Sequence, residues 1–160
     1  LPIENRVRRL TVADTALLRR LRLAALRNAP TAFASTYARE IRLSDDEWRA
    51  LLGPDRAWFA AGEVGLAAGH PSWTGVPGRV DLVSMWVHPD HRGRGLAGEL
   101  AAAVLGWARS VGAAEVELWV VDGNDAAARA YAKAGFAPTG RSQPLPSHPE
   151  LTEREWLLRL

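Results

Sequence analysis

The chain has 160 residues, the length of one ordinary domain, so a single domain over residues 1–160 is expected. Apolar residues make up 48% of the sequence, which is enough for a continuous core and excludes a wholly disordered chain. The 20 Lys and Arg nearly balance the 18 Asp and Glu, so the bulk charge argues against a nucleic-acid-binding protein.

The sequence contains no cysteine, which excludes disulfides, thiolate metal sites and a cysteine nucleophile. No metal is expected either, because the spacing of metal ligands is missing among the four histidines, His70, His88, His91 and His148. The longest apolar stretch, around residues 101–108, is far shorter than the roughly 20 residues of a membrane span. The first residues lack the apolar run of a signal peptide. A cytoplasmic protein without membrane partners is therefore expected.

The first third of the chain predicts one strand and two helices. Residues 7–10 are a strand candidate that ends at Thr11, and Thr11 with Asp14 is typical of a helix start. Apolar residues then recur at helical spacing until Asn28. Ser44 opens a second capping signal before a short helix.

The rest of the chain alternates between strand and helix periods. Strands are predicted at residues 57–61, 64–70, 80–88, 116–120, 136–139 and 153–160. Helices are predicted after Gly95 and after Asn124, on either side of the strand at 116–120. This order predicts an α/β protein with a mixed sheet covered by helices. Residues 80–120 resemble a βαβ unit, whose strand-to-helix turn is expected to bind a ligand.

That turn reads His91-Arg92-Gly93-Arg94-Gly95-Leu96-Ala97-Gly98. Its glycines let backbone N–H groups approach an anion, and the helix that follows adds its positive N-terminal end. Arg92 and Arg94 supply forked donors for phosphate oxygens. The spacing matches neither a Walker loop nor a dinucleotide fingerprint. Another phosphate-bearing ligand is expected, and a purely structural turn with solvated arginines is the alternative.

Three segments carry a resemblance to a known family. Residues 92–97 resemble the R/Q-x-x-G-x-G/A cofactor loop of the GNAT superfamily of acetyl-CoA-dependent N-acetyltransferases. Residues 82–89 resemble the central strand of that family with its V-x-P ending, and residues 124–136 resemble its N-x-x-A…Y-x-K-x-G-F helix. The resemblance implies a central mixed sheet of six to seven strands, about four flanking helices and a splayed central strand pair.

The resemblance also implies a site for acetyl-CoA as cosubstrate. The pyrophosphate would bind backbone N–H groups of the glycine-rich turn, and the pantetheine arm would pair with the splayed central strand. Tyr131 matches the tyrosine that often acts as general acid on the leaving sulfur, with core packing as its alternative. The implied cofactor-binding residues are Met85, Trp86, Val87, Arg92, Gly93, Arg94, Gly95, Leu96, Ala97, Gly98, Asn124 and Ala127.

The acceptor of such an enzyme would be a primary amine. An alkyl amine with a pKa of about 10.4 is almost entirely protonated near neutral pH, so a base or a water relay is expected. Asp81, near the start of the central strand, is the first candidate for this base. Glu117, His70 and Glu40 are the alternatives.

The sequence therefore predicts direct attack of an amine on acetyl-CoA without an acyl-enzyme. A catalytically silent CoA-binding regulatory module is the alternative function. Phe33 and Tyr37 lie in the segment where the family forms its acceptor pocket, so the resemblance implies that they bind substrate. The acceptor stays open between small amines, amino acids, antibiotics and peptide or protein amines. Family members are frequently dimers, so a homodimer is among the expected states.

Overall fold

A computed structural model describes residues 6–160. Within this described range, seven strands form one sheet: β1 (Arg8–Arg9), β2 (Ala57–Ala61), β3 (Gly65–Pro71), β4 (Arg79–Val87), β5 (Glu115–Val121), β6 (Ala137–Leu145) and β7 (His148–Arg159). The helices are α1 (Thr15–Asn28), α2 (Tyr37–Glu40), α3 (Asp45–Ala50), α4 (Leu96–Ser110) and α5 (Asp125–Ala134). The strand order is β1-β2-β3-β4-β5-β7-β6. β4 and β5 pair in parallel, and the other strand pairs among residues 6–160 are antiparallel, so the predicted mixed α/β sheet is confirmed.

The helix starts predicted from capping residues are confirmed. Asp14 accepts a 2.8 Å hydrogen bond from the backbone N–H of Thr11, and a 3₁₀ turn leads from there into α1. At α3 the Ser44 hydroxyl accepts from the N–H of Glu47 at 3.1 Å, and the Glu47 carboxylate accepts from the N–H of Ser44 at 2.7 Å. These reciprocal bonds satisfy backbone donors that a helix start otherwise leaves without a partner. The four-residue helix α2 was not predicted.

The last two strands are longer than the sequence predicts. β6 continues to Leu145, although it contains Pro138, Gly140 and Pro144, which favour loops. It lies at the edge of the sheet, where a proline costs no ladder hydrogen bond on its outer side. Its pairing with β7 is also irregular between Pro138 and Ser142. The predicted bounds, 136–139 and 153–160, were too short, because the edge position that tolerates these residues is a tertiary property.

Two apolar clusters cover the two faces of the sheet. On one face Leu100 and Val104 of α4 pack with Tyr131 of α5 against β4 and β5. On the other face α1 and α3 pack over β2, β3 and β4, with Leu18 and Trp48 fully buried. On the first face, α4 packs closely on β3: a Cβ added at Gly69 of β3 would collide with the ring of Trp107 in α4. Among the described residues, no helix has the length and apolar character that crossing a bilayer requires.

The two central strands separate after a short paired region. The pairing of β4 with β5 is limited to Arg79–Asp81, which lie opposite Glu115–Glu117. Further along, the pairing of β4 with β3 contains a β-bulge, in which Ser84 and Met85 stand opposite the single residue Ala67. Ser84 has a φ of 59°, which is uncommon for a residue with a Cβ and bends the strand. The predicted splayed pair is confirmed, and the space between the diverging strands is called the β4–β5 gap below.

Candidate active site

The glycine-rich turn leads from the end of β4 into the N-terminus of α4. Gly93 and Gly95 have φ values of 76° and 80°, a region that residues with a Cβ rarely adopt. Gly95 is the N-cap of α4 and offers no side chain to the helix. A Cβ added at either glycine would meet no atom within 4 Å. A helix start leaves its first N–H groups without partners inside the helix, and the open space at these glycines suits the close approach of an anion.

A salt bridge that the sequence does not predict supports this turn. Arg6 pairs with Glu99 in the first turn of α4, and its Nη2 donates a 3.1 Å hydrogen bond to the carbonyl oxygen of Arg94. The hydrogen bond from Arg6 lowers the pKa of the Glu99 carboxyl. Arg6 thus offsets a negative charge beside the helix end that would receive an anion. The two residues are 93 positions apart, too far for a local sequence signal.

The Arg92 side chain contacts the protein itself. Its Nε donates to the carbonyl oxygen of Val87 at 3.0 Å, and its Nη2 donates to Asn28 Oδ1 at 3.3 Å. The same Asn28 oxygen accepts from the indole of Trp86 at 3.0 Å. Arg92 therefore ties the end of β4 to the end of α1. Its predicted contact with a phosphate stays a prediction.

The next candidate residues belong to α5, the helix that follows β5 in the chain. Asn124 caps α5, with its Oδ1 accepting from the N–H of Ala127 at 3.3 Å. Tyr131 packs edge-to-face on Phe136, with ring centroids 5.8 Å apart. Burial raises the pKa of Tyr131 above its usual range. The remaining candidates lie where the motifs place them, with Met85 in the bulge and Leu96, Ala97 and Gly98 in the first turn of α4.

A cavity of about 470 Å³ lies between the segment 32–35, α2 and the sheet. Aromatic side chains from Phe33, Trp58, His70, Trp73 and Trp119 line it. Asp81, Glu117 and Glu153 line it as well, and these three carboxyl residues are called the acidic floor below. Of the two residues expected to bind substrate, Phe33 is therefore at the cavity. Tyr37 instead lies beneath Arg27, 4.6 Å from the guanidinium carbon to the ring centroid, and its place in substrate binding stays a prediction.

Asp81 and Glu117 face each other in the last paired position of β4 and β5. Both are buried, and Asp81 is only 3% exposed. The backbone N–H of Trp73 donates to Asp81 Oδ2 at 3.0 Å. The other oxygen, Oδ1, is buried without a hydrogen-bond partner in the described part of the chain. A buried carboxylate oxygen without a partner is costly, and this one lies at the cavity.

Burial and neighbouring carboxyls hold a proton on this pair. Burial, together with the neighbouring carboxyls of Glu155 and Asp81, raises the pKa of Glu117 to about 8. Burial also raises the pKa of Asp81. The nearest compensating cation is Arg79, whose Nη1 is 3.8 Å from Glu117 Oε1. Strongly raised pKa values of this kind are typical of functional sites.

The raised pKa of Glu117 predicts a pH-dependent stability. Between the unfolded value of 4.5 and the folded value of about 8, the folded state binds more protons than the unfolded state, so stability falls as the pH rises. Glu117→Gln removes this proton uptake. We expect wild type and variant to melt at similar temperatures near pH 5, and the variant to melt several degrees higher at pH 8.5. Thermal unfolding followed by circular dichroism measures both.

The control for this comparison is Glu63→Gln at an exposed position paired with Arg20. It should keep the wild-type decline of Tm with pH. If Glu117→Gln also keeps that decline, Glu117 does not carry the raised pKa.

Glu40, one of the alternative bases, is held by an arginine. Arg22 Nε and Nη2 donate to the two Glu40 oxygens, each at 2.9 Å, in a buried ion pair. Arg22 Nη1 also donates to Ser84 Oγ at 3.2 Å. The pair therefore fixes α1 and α2 to the bulge of β4. Because both Glu40 oxygens are occupied by Arg22, Asp81 and Glu117 are better placed to accept a proton. Sequence reasoning missed Arg22, because nothing local distinguishes it from its arginine neighbours.

Comparison with known proteins identifies the family. The model of the acetyltransferase (GNAT) family matches residues 20–136. This protein therefore belongs to the GNAT acetyltransferase family.

Solved structures share the whole fold. A GCN5-related N-acetyltransferase from Kribbella flavida is 23% identical, with 97% of each chain covered and a TM-score of 0.74. The structure of yncA from Salmonella typhimurium, with its cofactor acetyl-CoA, is 23% identical over 96% of this chain and 92% of that one, with a TM-score of 0.75. A ribosomal-protein-alanine N-acetyltransferase from Brucella melitensis is 19% identical over 96% and 99%, with a TM-score of 0.76. No match was found among the curated proteins.

Proposed function

We propose that the protein transfers the acetyl group of acetyl-CoA to a primary amine by direct nucleophilic attack. The observation that carries this proposal is the position of the Asp81–Glu117 pair. It occupies the last paired position before β4 and β5 separate, and both residues line the cavity. The proton acceptors thus lie where the β4–β5 gap, suited to a thioester, meets a cavity suited to an amine. Family membership supports the acetyltransferase chemistry.

The residues around the gap fit acetyl-CoA, which would supply an acetyl thioester when bound. The N–H groups from Gly93 to Gly98 would hold its pyrophosphate, because the space that a Cβ would occupy at Gly93, Gly95 and Gly98 is open. The backbone of Met85, Trp86 and Val87, beyond the paired part of β4, would bind the extended arm.

The acidic pair would take the proton that the amine must lose. An ammonium in the cavity would donate an N–H to Asp81 Oδ1, which has no partner among the described residues. Glu117, with its pKa of about 8, holds a proton beside Asp81 at neutral pH. Burial raises the pKa of Asp81, which makes its carboxylate a stronger base than an exposed one. The neutral amine can then attack the thioester carbonyl, so that the C–N bond forms and the C–S bond breaks. The second proton that the nitrogen loses balances the proton that the departing sulfur takes up.

Tyr131 is the proposed acid for the leaving sulfur. A thiol has a pKa near 8.5 and leaves fairly well without help, so the contribution of a phenol is modest. Tyr131→Phe should lower kcat by about a hundredfold, the low end for general acid catalysis. Acetyl-CoA affinity should change little, because the edge-to-face contact with Phe136 is kept. Single-turnover kinetics with an equilibrium binding measurement separates the two effects, and unchanged kcat would make Tyr131 a packing residue.

Thiol release from acetyl-CoA across a panel of primary amines tests the function itself. Amine-dependent release with formation of the N-acetyl product supports the proposal. The silent CoA-binding module predicts CoA binding without release for every amine. Binding of CoA is therefore measured on the same preparation.

A further inference from the structure

We infer that the acceptor is an arylalkylamine, a primary ammonium joined by a short linker to an aromatic ring, with no carboxylate beside the amine. This inference rests on the proposed function and names the substrate class of that site. It combines three features of the cavity: its aromatic walls, an exposed indole at its edge and the acidic floor.

The walls are aromatic on several sides. Trp58 is fixed by a 2.9 Å hydrogen bond from its Nε1 to the carbonyl oxygen of Leu51. Phe33 is buried, and the Arg22 guanidinium carbon lies 5.1 Å from its ring centroid. Trp119 of β5 adds a further ring. Ring-lined cavities favour planar ligands, since aromatic pairs gain stability beyond the area that they bury.

Trp73 provides a stacking surface next to the acidic floor. One face of its indole stacks on His70, with centroids 3.9 Å apart and planes at 23°. The side chain is nevertheless 73% exposed, so its other face is open to a ligand. Its backbone N–H is bound to Asp81, so the indole and the carboxylate belong to directly bonded residues. Both residues line the cavity, so a ligand that stacks on the outer face of Trp73 would direct a linked ammonium toward the acidic floor.

The acidic floor selects a cation and disfavours an amino acid. Asp81 Oδ1 is buried without a partner among residues 6–160, and the amide of Gln143 donates to Glu153 Oε1 at 2.7 Å. Three arginines line the cavity and could attract a carboxylate, but one of them, Arg22, is already paired with Glu40. An α-carboxylate would stand two bonds from the amine, close to the Asp81 carboxylate, and like charges repel.

The other two arginines of the cavity have partners of their own. Arg39 bonds the hydroxyl of Ser35 at 3.5 Å, and Arg56 pairs with Asp55 at 3.4 Å. Neither arginine bonds a residue of the acidic floor, and Arg79, which lies 3.8 Å from Glu117, is not among the residues that line the cavity.

Binding to the CoA-saturated enzyme tests the inference without turnover. The probes are 2-phenylethylamine, 2-cyclohexylethylamine and phenylalanine, measured by isothermal titration. We expect 2-phenylethylamine to bind about tenfold more tightly than its cyclohexyl analogue and more tightly still than phenylalanine. Trp73→Ala should weaken 2-phenylethylamine about tenfold and leave 2-cyclohexylethylamine nearly unchanged. The control is Val76→Ala in the same loop, also exposed and outside the cavity lining, which should change neither affinity.

Several outcomes overturn the inference: equal affinity for the two ring types, tighter binding of phenylalanine, no binding of any probe, or an unchanged preference in Trp73→Ala. Adding acetyl-CoA separates this result from the proposed function. Tight aromatic-amine binding without thiol release leaves the ligand class standing and rejects the acetyl transfer. Release with other amines but not with aromatic ones supports the transfer and rejects the ligand class.

Discussion

Asp81→Asn is expected to lower kcat/KM for a primary amine by about a hundredfold at pH 7, the lower part of the range for losing a general base. Asparagine keeps an oxygen for the N–H of Trp73 but cannot take a proton. The defect should shrink as the pH rises toward the pKa of the amine, about 10, because the free amine then needs no base. A profile of kcat/KM from pH 6.5 to 9.5 for both proteins measures this.

Asp46→Asn is the matched control for Asp81→Asn, because it makes the same change on α3 at a side chain that is 93% exposed. Its profile should match that of the wild type. A defect of constant size at every pH would assign Asp81 to positioning alone. An unchanged rate would shift the base to Glu117, His70 or water.

Gly95→Val is expected to weaken CoA binding by about a hundredfold, equivalent to ~3 kcal/mol. This is the size of one or two charge-assisted hydrogen bonds. The Cβ and its methyl groups would enter the open space in front of the first N–H groups of α4. The φ of 80° at this position also strains a β-branched residue. Isothermal titration with CoA gives the affinity, and thermal unfolding gives the cost in stability.

Gly112→Val provides the control, since Gly112 follows the other end of α4 with a φ of 77° and also has open space around its Cβ position. It should lower stability by a similar amount without affecting CoA affinity. If both variants bind CoA like the wild type, the turn is a structural feature and holds no phosphate.

The turn and the two helices proposed to hold the cofactor could be predicted from the sequence, because their signals are local. The glycines of the turn, the spacing of apolar residues in α4 and the Asn124 cap of α5 each depend on neighbours a few positions away. Helical periodicity and end capping create these patterns, so they can be recognised within a short stretch of sequence. The resemblance to the GNAT family rests on the same local segments, and the family match includes them.

The acceptor side was decided by the tertiary structure. Asp81 and Glu117 are 36 positions apart and meet only because β4 and β5 pair in parallel at one register. The partner-free Asp81 oxygen, the raised pKa of Glu117 and the position of Trp73 over His70 all follow from that pairing and from burial. The edge strand β6 and the Arg22–Glu40 pair are further cases, since residue type alone favours a loop and solvated charges there. Desolvation and strand register arise between distant segments, so a reading of neighbouring residues identifies the candidates but not the contacts between them.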